Sequence, residues 1–166
     1  MKKFLIIIII SLISIISMAQ KTINKQIIKE LTGKEVKVSD IIKHNAPVIV
    51  SIWASWCETS VKELDAINKQ IKDWKNETNV KFIAVSVDED KGNTKLEDFI
   101  KTKAWDFDIY RDENQNFKHS MNVKVLPHIF IIENGKIVWE NSAYTTGDLE
   151  KIHEHIKLLT FGENVH

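Results

Sequence analysis

Cys57 is the single cysteine in a chain of 166 residues, and it stands where the sequence pattern changes. Before it, residues 47–53 (Pro-Val-Ile-Val-Ser-Ile-Trp) form a short, mostly apolar, β-branched run of the kind that makes a strand buried on both faces. After it, Val61, Leu64, Ile67, Ile71 and Trp74 recur at three- and four-residue spacings, which predicts an amphipathic helix over residues 60–74. A cysteine at that junction lies beside unpaired backbone N–H groups and the positive end of the helix dipole. Such a place favours the thiolate, the nucleophilic form of cysteine. The competing assignment is a buried, inert thiol, and the position at a helix start argues for the reactive one.

The N-terminus suggests where this thiol works. Lys2 and Lys3 precede an apolar run over residues 4–16, and Ser17-Met18-Ala19 offers small residues at the two positions a signal peptidase reads. This pattern predicts a leader over residues 1–19, cleaved before Gln20. An uncleaved inner-membrane anchor facing the periplasm is the alternative, but the run is shorter than the ~20 residues a spanning helix needs. An exported, periplasmic protein meets oxidising conditions, where cysteines usually come in pairs. With one cysteine no internal disulfide is possible, which leaves intermolecular pairing or a free reactive thiol.

Composition excludes other classes. The chain carries 23 basic and 23 acidic residues, so it has no basic footprint for nucleic acid. Loss of the leader leaves 21 basic against 23 acidic. Six histidines are present, but His153 and His155 are two apart on a helix and point to different faces. Without a second cysteine a zinc cluster is not expected. The acidic stretches beginning at Asp88 and Asp112 lack the glycine and glutamate of a calcium loop: Asn93 and Phe99 stand there in the first, Phe117 and Val123 in the second. Both read as solvated loops. No phosphate loop or Ser-His-Asp arrangement is visible, and no cofactor is expected. Asn76-Glu77-Thr78 matches a glycosylation acceptor, a pattern short enough to arise by chance.

The remaining elements follow from pattern. Residues 35–38 alternate like an edge strand, and Ser39-Asp40 could cap a short helix through Ile42. A loop is expected at residues 76–78, a buried strand at 81–87, and a helix at 94–103. Further on, a strand is expected at 107–110, a short helix at 114–119 and a strand after Pro127. Asn134-Gly135 is a strong two-residue hairpin signal leading into residues 136–139. A last helix is expected over residues 147–159. Alternating strand and helix implies parallel pairing with right-handed crossovers. The organisation expected is a leader (1–19), a lead-in (20–34) and one domain (35–166).

Taken together, the Trp53-Ala54-Ser55-Trp56-Cys57 run, Glu63, Ser86-Val87-Asp88, Leu126-Pro127 and Asn134-Gly135-Lys136 resemble the TlpA/ResA-like extracytoplasmic branch of thiol-disulfide oxidoreductases in the thioredoxin-like superfamily. The resemblance spans residues 35–159. It implies a thioredoxin fold, α/β, with a central mixed sheet flanked by helices and an N-terminal extension. It also implies a cis peptide before Pro127, with that proline facing Cys57 and Leu126 offering its backbone to a substrate segment. Glu63 matches a glutamate that tunes the active thiols in ResA-like members; the alternative is an ordinary first-turn acid facing solvent. Two positions depart from the pattern: Lys124 replaces a glycine, and Ser60 replaces the resolving cysteine.

Ser60 decides the chemistry. In a dithiol site one thiolate attacks a substrate disulfide and a second thiol resolves the mixed disulfide. A hydroxyl cannot do the second step, although it could donate a hydrogen bond to the Cys57 thiolate. The expected site is therefore monothiol, with Cys57, Ser60 and Glu63 as its chemical residues and Trp56, Leu126 and Pro127 as its binding residues. Trp53 is expected in the core, Glu58 in solvent, and His128 in a structural role. Expected partners are cysteine-containing exported proteins or low-molecular-weight thiols, met by a monomer. There is no nucleic acid among them, and a membrane only if the leader is retained. Two other readings are a redox-inactive module gripping partners at the Pro127 groove and a one-cysteine peroxidase. The second is weakened by Ala54 and Trp53 at the positions where a peroxide-holding Thr/Ser and neighbouring groups would be needed.

Overall fold

The computed structural model describes residue 23, residues 25–89 and residues 95–162. The leader and its cleavage site, residues 90–93 of the acidic stretch and the first residue of the helix expected at 94 lie outside the described residues. Among the described residues thirteen elements follow in order: β1 (Ile27–Glu30), β2 (Glu35–Lys37), α1 (Val38–Ile41), β3 (Val48–Trp53), α2 (Glu58–Asn68), α3 (Ile71–Thr78), β4 (Lys81–Ser86), α4 (Lys95–Lys101), β5 (Asp108–Arg111), α5 (Asn116–Ser120), β6 (His128–Glu133), β7 (Lys136–Ser142) and α6 (Asp148–Phe161). The strands form one mixed sheet in the order β2-β1-β5-β4-β3-β6-β7. β3, β4 and β5 run parallel, while β6 lies antiparallel to β3 and β7 to β6. This is the thioredoxin-like α/β fold.

β3 lies inside the sheet between β4 and β6, and every one of its residues is buried. Because side chains alternate along a strand, it feeds two cores. Val48, Val50 and Ile52 join Ile28, Phe117 and Phe130 on one face of the sheet. Ile49 and Trp53 join Leu64, Ile67, Ile71, Trp74, Ile152 and Ile156 on the other, beneath α2, α3 and α6. A strand buried on both faces carries no polar side chain except Ser51, and that exception belongs to the site. Register puts Ile52 opposite His128 and His128 opposite Ser142. The end of β3, the start of β6 and the end of β7 thus meet at one edge. The Leu126–Pro127 peptide there is cis.

Several expectations need correcting. The single helix expected over residues 60–74 is two helices, α2 and α3. Gln70 N–H donates to the Ile67 carbonyl at 2.9 Å, and the Asn68 side-chain oxygen is drawn across to accept from Asp106 N–H at 2.8 Å. The apolar stripe crosses the break in phase, so spacing alone cannot reveal it. The loop expected at 76–78 is helical, and the turn falls at Asn79 with φ 54°. Thr78 is buried and its hydroxyl donates to the Trp74 carbonyl at 2.8 Å, so the glycosylation pattern is not presented as an open loop. Ser39 and Asp40 lie inside α1 and do not cap it; the N-cap is Lys37. β1 was not expected: Ile27-Ile28-Lys29-Glu30 lacks alternation, yet it pairs with both β2 and β5. The Asn134-Gly135 turn is as read, both residues having positive φ.

The stretches read as solvated loops are not so at their first residues. Asp112 is buried, and its carboxylate accepts from Phe117 and Lys118 N–H at 3.1 and 2.8 Å. Those are orphan donors at the start of α5, which explains why that helix begins after residue 114. Asp88 is likewise tied down, as described below.

Candidate active site

The turn that leaves β3 carries the nucleophile. Cys57 N–H donates to the Ala54 carbonyl at 3.1 Å, closing a turn over residues 54–57. Cys57 is the N-cap of α2, and its own carbonyl accepts Val61 N–H at 3.1 Å. Its half-buried side chain packs on the core face that holds Phe117 and Phe130. The thiol points across the sheet edge toward the loop before β6, with Sγ 3.9 Å from the Leu126 carbonyl oxygen. That loop is fixed from the other side, where Ala143 N–H donates to the Pro127 carbonyl at 3.0 Å. Cys57 thus faces the Leu126 carbonyl, with the cis-linked Pro127 next in the chain, which is the placement the resemblance implies.

Ser60, the third residue of α2, is fully buried and its hydroxyl has no hydrogen-bond partner. The bond to the sulfur that the sequence allowed is not formed with the thiol as it stands. An unpaired buried hydroxyl costs free energy, and here it is a donor held ready in the first turn. Trp56 is 70% exposed and Val125 is 51% exposed. Together they form an apolar rim on the two segments that flank the thiol. Trp53 is core, as expected, its ring edge-on to Trp105 with centroids 5.3 Å apart. Glu58 is in solvent, where its hydrogen bond to Lys62 and that residue's charge hold it below the usual carboxylate range.

Glu63 does not face solvent. It is only 3% exposed, directed inward from α2 to accept the Ser51 hydroxyl at 2.7 Å. Burial pushes its carboxyl up to about 7; the Ser51 bond pulls it down, and the nearby Asp148 charge adds to the rise. Asp148 is itself buried. Burial alone would raise it, but Thr145 N–H at 2.7 Å, the Thr145 hydroxyl at 2.9 Å and Lys151 Nζ at 3.0 Å together hold it low. These bonds fold the Thr145 turn back onto Asp148, the first residue of α6 after its Gly147 N-cap. Tyr144, in the loop beside it, is raised by burial and then by the charges of Glu63 and Asp148. A buried acid, a charged acid and a phenol are thus gathered where α2 meets the start of α6.

Sequence reading missed Ser51, Asp88, Tyr144 and Asp148. Ser51 carried a signal, since a polar residue in a doubly buried strand must have a partner. His128 is occupied by Glu140 at 3.2 Å and by the Phe130 ring at 4.5 Å, in keeping with a structural role. Among the described residues no group of three or more His, Cys, Asp or Glu is placed to hold a metal ion. No described helix is long and apolar enough to cross a membrane.

A thiol at a strand–helix junction, facing the loop that opens the antiparallel strand, defines a thioredoxin-like redoxin. The chain belongs to the AhpC/TSA family, whose model matches residues 19–140. Among curated proteins it is similar to the thiol-disulfide oxidoreductase ResA of Bacillus subtilis, 28% identical over 82% of this chain and 73% of that one. Among solved structures it is similar to an uncharacterized thioredoxin-like protein from Porphyromonas gingivalis. That match has 33% identity and a TM-score of 0.72, covering 84% of this chain and 92% of the other. A putative thiol:disulfide interchange protein DsbE from Chlorobium tepidum shares the fold at 23% identity and TM-score 0.71, covering 83% and 94%.

Proposed function

We propose that this protein is an exported monothiol exchanger of the TlpA/ResA-like kind, acting on disulfides of exported proteins or of low-molecular-weight thiols. The observation that carries the reading is the half-buried Cys57 thiol at the α2 N-cap, 3.9 Å from the Leu126 carbonyl across from Pro127, with serine at the resolving position. The Cys57 thiolate attacks one sulfur of a substrate disulfide. A bond forms between Cys57 and that sulfur, the old S–S bond breaks, and the leaving sulfur departs with the electron pair as a thiolate. Ser60 cannot displace the captured partner. A second thiol, from another protein or a small thiol, must attack the mixed disulfide and return Cys57 to its reduced form. The net result is exchange without an internal bridge. The predicted leader supports an oxidising location, where such disulfides exist.

The exposed Trp56 and Val125 favour a second reading, a module that grips partners at this rim without covalent chemistry. The two separate on one measurement. Intact mass of the mature protein in oxidised glutathione, or with a peptide disulfide, is expected to show a single adduct that is absent from Cys57→Ala. Folded protein that stays unmodified would favour the gripping module.

A further inference from the structure

The turn that presents Cys57 is held by a residue 33 positions away. Asp88 follows β4, and its carboxylate accepts three hydrogen bonds. Ser55 N–H reaches Oδ2 at 2.9 Å and the Ser55 hydroxyl reaches Oδ1 at 2.6 Å. The Ser86 hydroxyl donates to Oδ2 at 2.6 Å and in return accepts Asp88 N–H at 3.0 Å. Asp88 is anchored in its turn, because Val87 N–H donates to the Trp53 carbonyl at 2.9 Å and Asp112 N–H to the Ser86 carbonyl at 2.7 Å. One carboxylate thus binds both donors of a single residue in the turn and braces them against the end of the sheet.

Ser55 is the second residue of the four-residue turn, Trp56 the third and Cys57 the fourth. Apart from the Asp88 bonds, the hydrogen bond across this turn among the described residues is Cys57 N–H to Ala54. A turn closed by one backbone bond can rock about that bond. A bidentate grip on its second residue removes the freedom, directing Trp56 outward and Cys57 toward Leu126. Charged acceptors make the stronger hydrogen bonds, and attack on a disulfide requires three sulfurs in line, so small displacements of the nucleophile are costly.

We propose that Asp88 is a positioning residue for Cys57, clasping Ser55 so that the sulfur faces the Leu126 carbonyl and meets a docked disulfide in line. The inference rests on the exchange reading above. Its signature is selectivity between reagents. A small alkylating agent such as iodoacetamide approaches the thiol from any open direction, whereas a peptide disulfide must be met with the Trp56 rim and the Leu126 backbone in place.

The test measures Cys57 adduct formation with a cysteine-peptide disulfide and with iodoacetamide, in wild type, Asp88→Ala, Asp88→Asn and Ser55→Ala. Asp88→Ala is expected to slow the peptide reaction about tenfold while iodoacetamide stays within about twofold. Asp88→Asn keeps one acceptor oxygen and is expected to recover part of the loss. Ser55→Ala, which keeps the backbone donor, is expected to fall between, and it serves if Asp88→Ala fails to fold. Amide hydrogen exchange at Ser55 reads the clasp directly and is expected to speed up in both Asp88 variants. A peptide-to-iodoacetamide rate ratio unchanged in a folded variant overturns the proposal, as does an unchanged Ser55 amide. Should wild type form no peptide adduct at all, the exchange reading fails, and the clasp still stands or falls on the Ser55 amide.

Discussion

Ser60→Cys should convert the protein into a dithiol reductase, speeding insulin reduction by dithiothreitol at least about tenfold over a wild type near background. Residues three apart at a helix start lie on one face, a turn apart, so a thiol at position 60 is presented to a partner captured on Cys57. The local cost is small. The Ser60 hydroxyl is buried without a partner, so exchanging it for a less polar thiol breaks no hydrogen bond and relieves an unpaired donor. The variant's oxidised form should lose the mass of two hydrogens, where wild type can only gain a partner. Insulin turnover and intact mass together decide the matter. A variant that closes its internal bridge yet leaves insulin untouched would show that the Trp56–Val125 rim no longer admits protein disulfides.

The sequence and the structure agree most closely where chemistry follows from local pattern. The switch from a doubly buried strand to a helical stripe placed Cys57 near a helix start without knowledge of anything distant, although the helix begins at Glu58, two residues before the expected start. The resemblance, which implies a resolving cysteine three residues after Cys57, exposed the serine at position 60. Glu63 was half legible: its helix was clear, but whether it faced solvent or core depended on Ser51, twelve residues earlier. Asp88 was misread because an acid beside other acids resembles a solvated loop, and its partner Ser55 becomes a neighbour only once β3 and β4 pair. β1 was missed for a similar reason. Its residues gain strand character from β2 and β5 on either side, and nothing in their own order demands it. The α2–α3 break escaped because the chain restarts with its apolar face in phase, burying Ile71 and Trp74 as an unbroken helix would.

Buried Glu63 should make the protein less stable as pH rises, and Glu63→Gln should remove that dependence. In the unfolded chain its carboxyl ionises near the ordinary 4.5, while in the folded protein burial carries it to about 7. Between those values the folded state holds a proton that the unfolded state has released, so unfolding gains on folding with each step up in pH. The loss begins above the unfolded value and is complete once pH passes the folded one. Its size is about 3 kcal/mol, enough to move a domain of this length by several degrees in Tm. The substituted glutamine keeps an oxygen for the Ser51 hydroxyl and never takes a charge. Thermal melts of the two proteins should therefore nearly coincide near pH 4.5 and separate progressively to pH 8, with the variant the more stable. Other shifted acids do not blur this window. Glu58, Glu77 and Asp148 are all held below their usual values, so their contributions are lost on the acid side, as pH falls. Parallel melting curves from pH 5 to 8 would mean that Glu63 is ionised in the folded protein throughout. The buried acid would then be a fixed charge beside Asp148, with no titration to couple to the thiol.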